Sequence, residues 1–82
     1  MTAIIKLDLQ GVVFPLNLLK CKWALKEMQV GDVLEVKLMD RDVVTDLLTI
    51  VGRSADGVVY QEEKQGAVCI GIKKGAALKF NG

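Results

Sequence analysis

The chain has 82 residues, 51% of them hydrophobic, with a single proline and a formal net charge of +1. That leaves room for one domain with a modest core, and carries too much apolar content for disorder. The two signs of charge are interleaved, which argues against a dedicated nucleic-acid or polybasic membrane binder, and no apolar run approaches the roughly 20 residues of a membrane helix.

The N-terminus runs straight into a strand pattern, with no signal-peptide character. Ile5, Leu7 and Leu9 alternate with Ile4, Lys6 and Asp8, which predicts a half-buried first strand. Gln10-Gly11 breaks it. Pro15 suits the first position of a helix, where its missing N–H is not needed. Leu18, Cys21, Leu25 and Met28 then recur at helical spacing beside Ala24, forming one apolar stripe. Leu16, Leu19 and Trp23 form a second stripe roughly opposite. Gly31 marks the stop.

From Asp32 to Met39 the pattern alternates again, with Leu34, Val36 and Leu38 on one face. A strand, a helix and a strand with short loops predict a parallel pair joined by a right-handed crossover. The segment 42–53, DVVTDLLTIVGR, is rich in β-branched residues, which favours strand. Its apolar residues nevertheless fall three and four apart, Asp40 or Asp42 can cap a helix start, and Gly52 lies near its end, so the spacing predicts a helix. Residues 58–63 and 67–73 predict an antiparallel hairpin around Lys64-Gln65-Gly66. The run 75–82 has no period and is expected to be a loose tail after a single domain spanning 1–74.

The predicted order is therefore βαβαββ, an α/β two-layer sandwich. A four-stranded mixed sheet carries both helices on one face and leaves the other partly open.

The stretch LDLQGVVFPLNLLKCKWALKEMQVGDVLEV resembles the N-terminal half of the TusA/SirA family of small sulfur-carrier proteins. These commonly read L-D-x-x-G-x-x-C-P-x-P, followed by a Leu- and Lys-rich helix and a G-D-x-L-x-V strand. Leu7, Asp8, Gly11, Pro15, Leu18, Leu19, Lys20, Ala24, Leu25, Gly31, Asp32, Leu34 and Val36 match that pattern. Asp40 and Asp46 resemble the acidic residues before and within the second helix. The resemblance covers about residues 4 to 74 and implies the same βαβαββ fold, which supports the helical reading of 42–53.

It also implies a chemistry. In the family the motif cysteine sits at a helix start, where the dipole and free N–H groups stabilise a thiolate or persulfide, and it passes sulfur from a desulfurase to the next enzyme. Here that position is Phe14 and the second proline position is Asn17, so the motif reads F-P-L-N. A phenyl ring carries no sulfur. The expectation is a sulfur-relay relative that has become a non-catalytic binding or regulatory module, not an enzyme.

Its contact surface would comprise Phe14, Pro15, Leu16, Asn17, Leu19 and Trp23, with Asn17 offering its amide to a ligand or facing water. The partner would be a protein, either a sulfur-relay enzyme or a second copy meeting an apolar patch.

Two alternatives remain open. The chain could carry sulfur on Cys69, expected to be on the sheet face opposite Ile70 and exposed, or on Cys21, whose place on the core stripe favours plain packing. It could instead be a small nucleic-acid-binding module, which the near-neutral charge argues against. With no histidine and no Gly-rich loop preceding a lysine, no metal or cofactor is expected. The cysteine spacing is not that of a close metal pair and leaves a disulfide open; without a signal sequence, a reducing cytoplasm is the expected setting.

Overall fold

The protein is described here by a computed structural model covering residues 2–76. The elements run β1 (Ile4–Asp8), α1 (Leu16–Glu27), β2 (Val33–Leu38), α2 (Arg41–Gly52), β3 (Gly57–Lys64) and β4 (Ala67–Lys73). They build a four-stranded sheet in the order β1-β2-β4-β3. β1 and β2 are parallel, while β4 runs antiparallel to both β2 and β3.

One face of the sheet is apolar because the period of two puts Leu34, Val36 and Leu38 of β2 on it. The register sets them against Ile72, Ile70 and Val68 of β4. All six are buried, together with Cys21 and Leu25 from α1 and Val43, Leu47 and Val51 from α2. Both helices therefore cover this single face, and each closes its own apolar stripe against it.

The β-branched segment is a helix because tertiary burial of Val43, Val44, Leu47 and Val51 outweighs a propensity difference of a few tenths of a kcal/mol per residue. Its start is fixed by Asp40, whose carboxylate Oδ1 accepts from the N–H of Asp42 (2.9 Å) and of Val43 (3.4 Å). An ion pair between Arg41 and Glu63 joins that start to β3 at the surface. Asp32 has a similar organising role ahead of β2: its carboxylate accepts from the N–H of Ala3 and of Gln29, tying β1's leading residues to the turn after α1.

The hairpin turn contains Gln65 and Gly66, both at positive φ (53° and 81°), the mirror-image turn whose twist matches the flanking strands. The opposite face of the sheet is polar and carries Lys6, Glu35, Lys37 and Glu62 in neighbouring registers. Tyr60 lies flat across Gly71 there, where any Cβ would overlap its ring, and its hydroxyl donates to Glu35 Oε1 at 2.7 Å. That hydrogen bond, then burial, then the nearby carboxylates push the Tyr60 phenol up to about 12.

Among the described residues no helix is long and apolar enough to cross a membrane. Two boundary expectations need correction. Pro15 lies just ahead of the helix, not at its first position, and Gly75 is not loose: its N–H donates to Asp56 Oδ1 at 2.9 Å. The rest of the expected tail, 77–82, lies outside the described residues.

Candidate functional site at the start of the first helix

β1 delivers the chain to a tight loop, 9–14, closed by the Val12 N–H on the Leu9 carbonyl at 3.1 Å. Gly11 takes the left-handed φ of 81° that this turn requires. The loop ends on Phe14, which stands at the positive end of α1 with 59% of its surface exposed. Pro15 follows as the residue capping the helix and has no side chain able to accept an N–H.

The capping role passes instead to Asn17. It is 2% exposed, so it neither faces water nor offers its amide to a ligand, contrary to the expectation from sequence. Its Oδ1 accepts from the Leu18 N–H at 2.8 Å, and its Nδ2 donates back to the Val12 carbonyl at 3.2 Å. One side chain thus satisfies an orphan donor of the helix and fastens the loop that presents Phe14. Asn17 supports the site from inside.

The remaining members of the expected surface are exposed. Leu16, Leu19 and Trp23 follow one another at i, i+3 and i+7 along α1, and Trp23 keeps 54% of its surface in water. Phe14, Pro15 and Leu19 also form one end of an open trough of about 700 Å³ between the helices. Leu18, Cys21 and Leu25 line its α1 side, and Leu47, Ile50 and Val51 its α2 side. Lys22, Lys26 and Lys74 stand along it with Asp56. Ile50, spaced three residues from Leu47 on α2, is exposed and belongs to the trough.

The two cysteines lie on opposite sides of the sheet. Cys21 is buried on the core stripe, and burial pushes its thiol up to about 11, with a backbone hydrogen bond offsetting part of the effect. At neutral pH it is a protonated thiol and a poor nucleophile. Cys69 is on the face opposite Ile70, as its alternation requires, but it is not exposed: only 8% of its surface is accessible.

Cys69 sits in a shallow depression of about 310 Å³ with Lys6, Lys37, Lys64, Asp8 and Glu35. Lys37 is its direct partner on β2 and Glu62 its partner on β3. Lys6 and Lys37 are far from Cys69 in sequence, and Lys64 is on the neighbouring strand of its own hairpin. Alternation alone places each on the open face, but only the strand register brings them together.

The fold and this site define a small α/β protein whose first helix begins, beside an apolar trough, at the end of a parallel strand. The chain belongs to the TusA sulfurtransferase family, whose model matches residues 5–74. Proteins of that family act in sulfur relay with protein partners. Among solved structures, the chain is similar to a SirA-like protein from Desulfitobacterium hafniense. The two are 23% identical, with 88% of this chain and 99% of that chain covered, at a TM-score of 0.70, a likeness of fold. No curated protein sequence matches the chain.

Proposed function

We propose that this TusA-family chain does not carry sulfur and instead works as a binding module for a protein of the sulfur relay. The observation that supports this most is Phe14 at the helix start, the position where the family motif has its cysteine. The positive helix end that would stabilise a thiolate faces a hydrocarbon ring. The surface offered to the partner is Phe14, Pro15, Leu16, Leu19 and Trp23. Aromatic anchors of this kind, exposed in the free protein, supply most of the affinity at protein interfaces.

Intact-mass spectrometry after incubation with a cysteine desulfurase and free cysteine tests the first half of the proposal. Cys21→Ala and Cys69→Ala variants run beside it locate any adduct. The expected result is no transferable sulfur on either cysteine. A sulfur that can be passed on from one of them refutes the proposal. For the second half, Trp23→Asp should abolish desulfurase-dependent co-elution while leaving the far-UV circular dichroism unchanged. A desulfurase that never co-elutes with the parent chain removes that enzyme as the partner.

A second reading has one specific observation in its favour. Cys69 lies in a surface depression on the open face of the sheet with Lys6, Lys37 and Lys64 beside it, away from the packed core that holds Cys21. It is a carrier with a relocated nucleophile, and the same mass measurement decides it. Phe14→Cys complements both tests, since it restores a thiol at the helix start without touching Asn17. Asn17→Pro is not the companion change the family motif suggests, because it removes a buried amide that holds the loop.

A further inference from the structure

The sheet ends in two edge strands, β1 and β3, and they are not alike. β3 carries devices that block further pairing: a register irregularity between Val58 and Tyr60, the charged run Glu62-Glu63-Lys64, and the ion pair that ties Glu63 to Arg41. β1 keeps a regular register against β2 along its whole length. Its outer edge has no partner among the described residues, with Ile4 and Ile5 exposed and Leu7 half-buried beside it.

The hydrogen bonds to β2 fix which groups of β1 face outward. The Leu9 N–H donates to the Lys37 carbonyl, and the Ala3 carbonyl accepts from the Val33 N–H, so the odd-numbered residues turn their backbone groups toward β2. By alternation Ile4, Lys6 and Asp8 present theirs to solvent. A second β1, antiparallel and related by a two-fold axis, can bond to these groups only where they oppose one another. An axis at Ile5 sets Lys6 against Ile4. An axis at Lys6 sets the two lysines against each other. An axis at Leu7 sets Lys6 of each copy against Asp8 of the other, with Leu7 meeting Leu7 and Ile5 meeting Leu9 on the helical face.

We propose that β1 is a self-pairing edge: two copies of this chain join antiparallel about an axis at Leu7 into one continuous sheet, with Lys6 of each copy paired to Asp8 of the other. Each Lys6–Asp8 pair exchanges both backbone N–H···O bonds. Asp8 Oδ1 accepts from the Gln10 N–H at 3.0 Å, which leaves Oδ2 for the lysine. The charges choose the register more than they supply affinity, because exposed ion pairs contribute little. The contact is small, so the dimer is weak and depends on concentration. It uses none of the residues of the contact surface at Phe14 and is independent of any role in sulfur relay.

Sedimentation velocity of the full chain at rising concentration tests the pairing, and a dimer is expected. Lys6→Glu and Asp8→Lys each place like charges at both crossings and should raise the dimer Kd by about tenfold. The double variant Lys6→Glu/Asp8→Lys exchanges the partners and should return Kd to within about threefold of the parent value. In amide hydrogen exchange of the parent, the Lys6 and Asp8 N–H groups should slow as concentration rises, while those of Ile5 and Leu7, already turned to β2, should not change. A chain that stays monomeric, with Lys6 and Asp8 exchanging freely at every concentration, overturns the proposal. So does a dimer that the single variants leave untouched, or a double variant as weak as the single ones. A dimer lost in Trp23→Asp but kept in Lys6→Glu overturns it too, and puts self-association on α1.

Discussion

Replacing Asn17 by alanine removes two hydrogen bonds at once and leaves the groups they satisfied without partners. The Leu18 N–H is in the first turn, where the helix supplies no acceptor of its own, and the capping residue is Pro15, which cannot replace Asn17 Oδ1. The Val12 carbonyl is partly buried under the loop. Each lost bond contributes about 1 kcal/mol net, and an unsatisfied, partly buried group adds about 1 kcal/mol more, so Asn17→Ala should destabilise the protein by about 2–3 kcal/mol.

With a urea slope of about 1 kcal/mol/M for a domain of this size, the midpoint falls by about 2–3 M. Leu16→Ala, one residue earlier on an exposed face, is the control and should change stability by less than about 0.5 kcal/mol. Asn17→Asp separates the two functions of the amide. It keeps an acceptor for the Leu18 N–H and adds a favourable charge at the helix start, but has no donor for Val12. It should fall between the parent and the alanine variant. Urea melts followed by far-UV circular dichroism measure all three. An Asn17→Ala loss below about 0.5 kcal/mol would refute the reading of Asn17 as an internal support, and would return the residue to the contact surface.

Asp40→Ala, which leaves the first N–H groups of α2 unpaired, should cost about 1 kcal/mol and lower Tm by about 5 °C, measured by thermal melting. Gly71→Ala should expel the Tyr60 ring, break its bond to Glu35 and bring the phenol from about 12 back toward 10.0; as the chain has one tyrosine, tyrosinate absorbance reads this directly. Stability should decline above about pH 9. The Cys21 thiol ionises near 9.0 when unfolded and about 11 when folded, and Tyr60 near 10.0 and about 12, so the unfolded chain binds fewer protons across this window and folding weakens as pH rises. Urea melts at about pH 8 and at about pH 11 should show a smaller drop for Cys21→Ala than for the parent, and equal drops would contradict the assignment. Cys21 should also resist thiol reagents at neutral pH in the folded protein and react once unfolded in urea.

Much of this protein is written in local periodicity. Alternation in 4–9 and 32–39 fixed which side chains face the helices. The three- and four-residue spacing in 42–53 decided for helix over its β-branched composition, and the start was narrowed to Asp40 or Asp42, of which the folded chain uses Asp40. These are one-dimensional properties, because the pleat and the helical turn set side-chain direction residue by residue. The family pattern around Phe14 and Pro15 was equally legible, since it depends on order along the chain.

What the sequence could not reveal depends on elements distant in the chain meeting in one register. The polarity of Asn17 argued for solvent, but a loop closing back from Leu9 to Phe14 gave its amide two internal partners. The alternation that put Cys69 on the open face could not bury it. That took Lys37 and Glu62 aligned beside it on neighbouring strands. Ile50 obeys the spacing of its helix and still ends in the trough, because α1 and α2 do not close over it. Faces are set by local geometry, whereas burial and the walls of a site are set by which distant surfaces pack together, and that is a property of the tertiary structure alone.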